Sequence, residues 1–331
     1  MTKNVLITGG AGFIGFHLGR HLAAEGYNVY LLDNFSRGVE DEELSELQSR
    51  ASVELINADL GCRSETLALG VKFEYVVHLA AIIGVAHVVN RPYSVLVENV
   101  RMLESVIELC RSQSEFSRLV FASTSEVYAG TLEYFGLVPP TMEQTPLAVS
   151  DLSRPRTSYM LSKIYGEALC AQSGLPFSIV RPHNVYGPRM GMSHVVPEQL
   201  AQIWKSKCGD RIGVRSPDHR RTFCYVSDAV EMIERVMLEK ACEQKTLNIG
   251  SAGPEITIRQ LVEHCIHVSG KNLHIDPLPD TDGSPARRCP DMSQMTRYTG
   301  YLARVQLNEG IERTWDWYST RVFTDGRLTA D

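Results

Sequence analysis

A tyrosine and a lysine four residues apart, in Ser158-Tyr159-Met160-Leu161-Ser162-Lys163, fall on one face of a helix. A phenol with a reference pKa near 10 is a poor base at neutral pH. An ammonium beside it, together with a positively charged ring, lowers that pKa and lets the phenolate take a proton from an alcohol. Such pairs also occur by chance on surface helices, so their weight comes from what else the chain carries. Gly9-Gly10-Ala11-Gly12-Phe13-Ile14-Gly15 follows an apolar run and opens a helical pattern, with glycines at 9, 12 and 15. A turn without side chains lets backbone N–H groups approach a pyrophosphate, whose charge then meets the positive end of the helix. Asp33 ends the next apolar run, where a carboxylate accepts from both ribose hydroxyls of an adenosine and repels a 2′-phosphate. Together these residues point to NAD rather than NADP, with Arg37 the one nearby cation that argues the other way. Asp59, after the third apolar run, suits the adenine edge.

The elements needed to position these residues are legible as alternation. Short β-branched runs at Asn4 to Thr8, Asn28 to Leu32, Val53 to Asn57, Tyr75 to Leu79, Leu119 to Ser123 and Phe177 to Arg181 alternate with helical stretches. The clearest of the latter are Gly12 to Glu25, Tyr93 to Cys110 and Ser158 to Ala171. Alternation of this kind predicts an α/β fold, a Rossmann doubly wound parallel sheet with helices on both faces. Residues 1–181 form the dinucleotide-binding domain in this reading. After Arg181 the pattern turns to loops and isolated strands rich in proline, a smaller α/β substrate-binding domain over 182–224 and 253–331. Ser227 to Leu238 and Leu247 to Gly250 regain the earlier pattern, so 225–252 is expected to return to the first domain. The tail after about Thr320 lacks periodicity and is expected to be disordered.

Composition narrows the class further. The chain has 331 residues, 44% hydrophobic and 22% charged, with a formal charge of −6. That is a globular composition with no standing positive field, which argues against nucleic acid as the main partner. No run approaches about 18 apolar residues, so no membrane span is expected. The 8 cysteines show neither paired nor metal-ligand spacing, and the first residues do not have the pattern of a secretory signal. A cytoplasmic protein with no metal site is the expectation.

With these motifs in place, the chain resembles the extended short-chain dehydrogenase/reductase family of NAD-dependent nucleotide-sugar epimerases, dehydratases and decarboxylases, over about residues 3 to 318. The marks are GGAGFIG, Asp33-Asn34, Ala58-Asp59-Leu60, His78-Leu79-Ala80-Ala81, Asn99-Val100, Ser123-Thr124-Ser125-Glu126-Val127-Tyr128, Tyr159 with Lys163, and Arg181-Pro182-His183-Asn184. They continue through Arg221-Thr222-Phe223, Asn248-Ile249-Gly250 and Arg287-Arg288-Cys289-Pro290-Asp291. The resemblance implies that Thr124 orients the sugar hydroxyl, Tyr159 is the base, and Lys163 tunes it while holding the nicotinamide ribose. It also implies a cofactor site from Gly9, Gly12, Phe13, Ile14, Gly15, Asp33, Asn34, Asp59, Leu60, Leu79, Ala80, Ala81 and Asn99. Ser125, Asn184, Val196, Arg221 and Arg288 are implied as substrate contacts, the two arginines on the diphosphate. His183, where the family has a phenylalanine, reads as a packing residue.

The resemblance implies hydride transfer from sugar carbon 4, giving a 4-keto intermediate. Dehydratases of the family carry Thr-Asp-Glu, and Ser125 is a weak acid in place of the aspartate, which disfavours a simple 4,6-dehydratase. Thr124-Ser125-Glu126 resembles the UDP-glucuronate decarboxylases, whereas Ile82-Ile83-Gly84-Val85-Ala86-His87 reads more like the epimerases. Glu126 either moves a proton at carbon 5 or only hydrogen-bonds the backbone. A binding protein with a structural NAD on the same fold is the alternative of another class. Apolar stripes on the Tyr93 and Ser158 helices match the faces that pair in dimers of the family, so a homodimer is expected.

Overall fold

A computed structural model describes residues 2–281 and 284–324. Seven strands form the main sheet: β1 (Asn4–Thr8), β2 (Asn28–Asp33), β3 (Val53–Asn57), β4 (Tyr75–His78), β5 (Arg118–Ala122), β6 (Phe177–Pro182) and β7 (Thr246–Ile249). Their order is β7-β6-β5-β4-β1-β2-β3, and every pairing is parallel. Val5, Leu6 and Ile7 in β1 are all inaccessible to solvent, as are Val76 and Val77 in β4 and Leu119 and Val120 in β5. Neighbouring side chains on opposite faces are therefore both covered, which explains why these strands read as continuous apolar runs rather than as alternation. The chain winds from β1 out to β3, then resumes at β4 on the other side of β1. The crevice at the carboxyl ends of β1 and β4, where the winding reverses, is the place such a sheet offers a ligand.

The helix Phe13–Ala24 packs Phe16, Leu18 and Leu22 into the core, and Pro92–Arg111 begins with the proline whose fixed φ suits a first helical residue. Pro92–Arg111 lies against Thr157–Gln172, the helix that carries Tyr159 and Lys163. Beyond β6 the chain builds a second layer. Arg211–Arg215 pairs in parallel with His274–Leu278, and Arg220–Arg221 lies between Ile256–Thr257 and Arg287–Arg288. Val226–Leu238 runs back over β5 and β6, and β7 joins the sheet edge beside β6. At the start of that helix Asp228 accepts from the Tyr301 hydroxyl at 2.7 Å and from the N–H groups of Arg304 and Val305. The carboxylate thereby ties the carboxyl-terminal segment to the sheet.

The expected disorder after Thr320 is corrected in part. Helix Leu307–Tyr318 continues into a wider turn over Ser319–Phe323, with Val322 buried and the Phe323 ring against Trp204, Trp315 and Tyr318. Trp204, the partner from another element, lies far away in sequence, which is why local periodicity missed this packing. The rest of that tail, 325–331, lies outside the described residues.

Behind the crevice is a buried polar network. Glu167, one turn beyond Lys163, accepts from Ser123 Oγ at 2.6 Å and from Arg181 Nε and Nη2 at 2.8 and 2.6 Å. Arg181 Nη1 donates to the Tyr128 hydroxyl and the Glu143 carbonyl. Tyr128 donates to Asn248 Oδ1, whose backbone N–H is held by the Glu143 carboxylate. One cluster thus joins the end of β5, the tyrosine helix, β6 and β7. Removing one member of a buried pair leaves the other charge uncompensated. Glu167→Ala is expected to cost about 3–5 kcal/mol of stability, read as a lower urea midpoint, whereas Glu167→Leu with Arg181→Met should cost less than the two single changes added together.

Candidate functional site

The glycine turn lies tight on the sheet. Gly9 holds φ +71°, a left-handed backbone that suits glycine, and a β-carbon on Gly15 would stand 2.1 Å from the Gly9 carbonyl oxygen. A β-carbon on Gly12 would meet only that same oxygen, at 3.2 Å, so its outer side faces open space at the start of helix Phe13–Ala24. No side chain caps this end. The N–H groups of the first turn, including Phe13 and Ile14, have no acceptor within the helix by its geometry and are available to an anion. Asp33 is buried at the end of β2. Its carboxylate accepts from the N–H of Ala11 at 3.0 Å and of Phe35 at 2.9 Å, and burial raises its pKa. The bond to Ala11 fixes the glycine turn against the acid. A pyrophosphate cradle bounded by a ribose-reading carboxylate is what a dinucleotide requires, so these residues fit NAD.

The remaining expected cofactor residues surround the same crevice. Asn34 is exposed at its rim, with its side-chain oxygen accepting from Ser36 N–H. Asp59 is exposed and closes a turn onto the Gly61 N–H, while Leu60 is packed in the core, so only its backbone faces outward chemistry. Thr8 Oγ1 meets His78 Nδ1 at 2.7 Å and accepts from Ala80 N–H, locking the ends of β1 and β4 together ahead of Leu79, Ala80 and Ala81. Buried Asn99 grips both backbone groups of Ile82, at 2.7 and 3.2 Å, and donates to Ser162 Oγ. It braces the wall of the crevice against the tyrosine helix.

Thr124 leaves β5 in an extended conformation and its Oγ1 caps the short helix Ser125–Tyr128 by accepting from Glu126 N–H. The same hydroxyl stands near enough to the Tyr159 phenol to act toward lowering its pKa. Lys163 is buried, and its Nζ donates to the Ala122 carbonyl at 2.8 Å and stands 5.8 Å from the Tyr159 ring centre. Burial lowers the Lys163 pKa to about 8. The expectation pairs Lys163 with a positively charged nicotinamide ring in lowering the phenol pKa; among the protein's own groups the lysine is not the controlling one. Burial and the nearby Glu126 carboxylate hold Tyr159 above its ordinary value, opposed by Thr124 and Arg37, because the lysine is directed at the Ala122 carbonyl rather than at the phenol oxygen.

Outward from Glu126 opens a cleft of about 340 Å³. Four arginines, Arg156, Arg215, Arg221 and Arg288, and His219 line it against the carboxylates of Glu126 and Glu198, so its field is positive. Arg288 Nη2 pairs with Glu126 Oε1 at 2.9 Å and holds that carboxyl below its ordinary pKa, although burial acts the other way. The Glu126 side chain keeps 44% of its surface exposed and lines the cleft. Arg221 lies beside Arg288 in adjacent strands, and burial together with Arg288 pushes its pKa down to about 10. It donates to Ser284 Oγ and to the carbonyls of Arg220 and Pro285. Asn184, at φ +42°, donates to the Thr222 carbonyl and lines the same cleft.

Ser125 is buried. Val196 is also buried, in the core, and the expectation that it contacts substrate passes to its neighbour Val195, which lines the cleft; helix Val195–Lys205 turns only one of the two outward. His183 is buried with Nε2 against Asn248 Oδ1 at 3.0 Å and its pKa lowered to about 3 by burial, consistent with packing. The sequence reading passed over Arg156, Arg215 and His219. Arg156 was the accessible one, three residues before Tyr159 at the head of the same helix. The other two depend on how the second layer folds back.

Comparison with known proteins adds to this geometry. A family model described as the NAD dependent epimerase/dehydratase family matches residues 5–250. A UDP-N-acetyl-alpha-D-glucosaminuronate decarboxylase of Bacillus cytotoxicus is 31% identical, with 96% of this chain and 98% of that protein covered. UDP-glucuronic acid decarboxylase 6 of Arabidopsis thaliana is 31% identical over 93% of this chain and 86% of its own. The crystal structure of a UDP-glucose 4-epimerase from Thermotoga maritima, 25% identical, superposes with a TM-score of 0.80 over 96% of this chain and 99% of that one. With the dinucleotide cradle and the Thr124–Tyr159 pair already in place, the match over most of its length means that this chain is an NAD-dependent enzyme belonging to the NAD dependent epimerase/dehydratase family.

Proposed function

We propose that the enzyme decarboxylates a nucleoside-diphosphate sugar acid, oxidising it at carbon 4 and returning the hydride after carbon dioxide has left. The observation that carries this reading is the Glu126–Arg288 pair at the inner end of a cleft lined by three further arginines. A diphosphate and a sugar carboxylate are both anions, and guanidinium forks suit both. The two relatives at 31% identity named above, both decarboxylases, support the same reaction class.

Bound NAD supplies a hydride acceptor beside the sugar. The protein's part is to move protons and to hold charge. Tyr159, with Thr124 beside it, takes the proton of the 4-hydroxyl as the hydride leaves carbon 4, and Lys163 and Arg37 add positive charge around it. The resulting ketone lies β to the carboxylate, so the bond to the carboxyl carbon breaks with its electrons passing into an enolate. No strong acid is needed at Ser125. Arg288 grips the substrate carboxylate in exchange for Glu126. Once Arg288 turns away, the leading cause of the low Glu126 pKa is gone and burial raises it, so Glu126 takes up a proton from water in the cleft and delivers it to carbon 5. The hydride then returns to carbon 4 and Tyr159 gives its proton back.

The same reading makes the enzyme a homodimer through helices Pro92–Arg111 and Thr157–Gln172, which pack on each other and leave Tyr93 77% and Tyr165 49% exposed. Light scattering on the eluted protein should return twice the chain mass. Eight unpaired cysteines, most of them buried, suit a reducing cytoplasm.

The test is product mass. With UDP-glucuronate or its 2-acetamido analogue, the product should be lighter by one carbon dioxide; an isomer of unchanged mass would instead make the enzyme an epimerase, and loss of water a dehydratase. Tyr159→Phe should lower kcat about 10²–10⁴-fold with NAD affinity unchanged. Glu126→Gln should let carbon dioxide leave but stall protonation at carbon 5 and with it the return of the hydride, visible as reduced-nicotinamide absorbance that rises and does not decay. In a simple 4-epimerase the same change would leave turnover intact.

A further inference from the structure

The loop after β2 carries a cation whose reach has a topological consequence. Arg37 Nη1 donates to the Ile83 carbonyl at 2.8 Å, and its Nη2 lies 3.6 Å from the point where a β-carbon on Gly84 would stand. Ile83 and Gly84 belong to the segment after β4. In the sheet, β1 separates β2 from β4, with neighbouring strands about 4.8 Å apart. A side chain rooted after β2 that reaches the segment after β4 therefore crosses above the loop after β1, which is the glycine turn.

Both ends of this crossing are held. At its root, a β-carbon on Gly38 would stand 2.7 Å from Ala11 Cβ and 2.9 Å from Asp33 Oδ1, and Val39 N–H donates to the Ala11 carbonyl. At its far end, the Arg37 charge is among the groups that lower the Tyr159 pKa, so the guanidinium stands within electrostatic reach of the reaction centre. Its direction is away from the Asp33 side of the crevice, where a 2′-phosphate would have to lie.

We propose that Arg37 is a strap over the bound dinucleotide, its guanidinium pairing with the pyrophosphate on the glycine turn while its bond to Ile83 closes the crevice above it. Two charge-assisted bonds from one planar group to a diphosphate suit the geometry of arginine. The strap suits an enzyme that must hand the same hydride back to the same sugar, because cofactor lost in mid-cycle strands an oxidised product. That benefit rests on the proposed reaction, whereas the pairing itself does not. It is tested by binding alone, so it stands or falls independently of which sugar is turned over.

The full-length protein, freed of nucleotide, is titrated with NAD, NADP, ADP and adenosine, and NADH release is followed by fluorescence during a chase with excess NAD. Arg37→Met should weaken NAD and ADP about 10- to 100-fold, speed NADH release to a similar degree and leave adenosine binding unchanged. Arg37→Lys should restore part of the loss. Unchanged NAD affinity and release in Arg37→Met would overturn the proposal. Loss confined to NADP would instead assign Arg37 to a 2′-phosphate, and equal loss for adenosine would assign the effect to a displaced loop; either outcome overturns the strap as well.

Discussion

The Glu167 carboxylate and the Arg181 guanidinium meet at 2.6 Å in the interior, and the geometry of the reacting groups depends on that contact. Tyr159, Lys163 and Glu167 are spaced by four residues along one helix, so they share a face. The first two are the residues proposed to act in the reaction. The third is the anchor that sets the rotation and height of the helix against β5 and β6. Ser123, which donates to the same carboxylate, is the residue immediately before Thr124. The hydroxyl and the phenol that must act together are thus each one short step from a single buried anion. Desolvating that anion is costly, and the cost is met by Ser123 and by both the Nε and Nη2 groups of Arg181. A hydrophobic replacement of equal volume can preserve stability but offers no directional bonds with which to fix the helix.

The crevice works by the opposite principle, with charges left to face a cavity. Arg221 and Arg288 sit at paired positions of neighbouring strands, and burial first and their mutual repulsion second depress the Arg221 pKa. Glu126 is the internal anion that offsets them from the far wall. The same carboxylate raises the Tyr159 pKa. An unshielded Glu126 therefore works against the base, and its partnership with Arg288 keeps that penalty moderate. Positive charge from the cofactor ring and from Lys163 acts in the direction that a working base requires.

The fold was legible because the central strands β1, β4 and β5 are buried on both faces and so appear as apolar runs; the ranges read from sequence agree with the structure to within a residue or so at β1 through β6. The glycine turn, Asp33 and the Tyr159–Lys163 spacing were legible for a related reason, since each is a local pattern whose chemistry depends on neighbours in sequence. What was not legible was set by distant contact. Lys163 directs its charge at a carbonyl of β5, Val195 rather than Val196 faces the cleft, and Phe323 folds into an aromatic cluster with partners up to more than a hundred residues earlier. Arg37 belongs to both groups: its presence near Asp33 was plain, but its direction was not. A cation four residues past the acid argues for a 2′-phosphate only when it points back, and here it points across.

Asymmetry between the two halves of the molecule follows from these charges. The large sheet presents its ligands through backbone N–H groups and one carboxylate, fixed by glycine turns and by the Thr8–His78 lock, and little there needs to move. The second layer presents arginines on two-residue strands, Arg220–Arg221 and Arg287–Arg288, held to the rest by a short ladder, by the backbone bonds of Thr141 to Cys289 and Asp291, and by the Glu126 pair. On the proposed reaction, a substrate with a diphosphate and a carboxylate competes for the same guanidiniums that join the layers. Binding therefore exchanges one set of ionic links across the cleft for another instead of adding links to a neutral gap, and the carboxylate released by that exchange is the one placed beside the sugar.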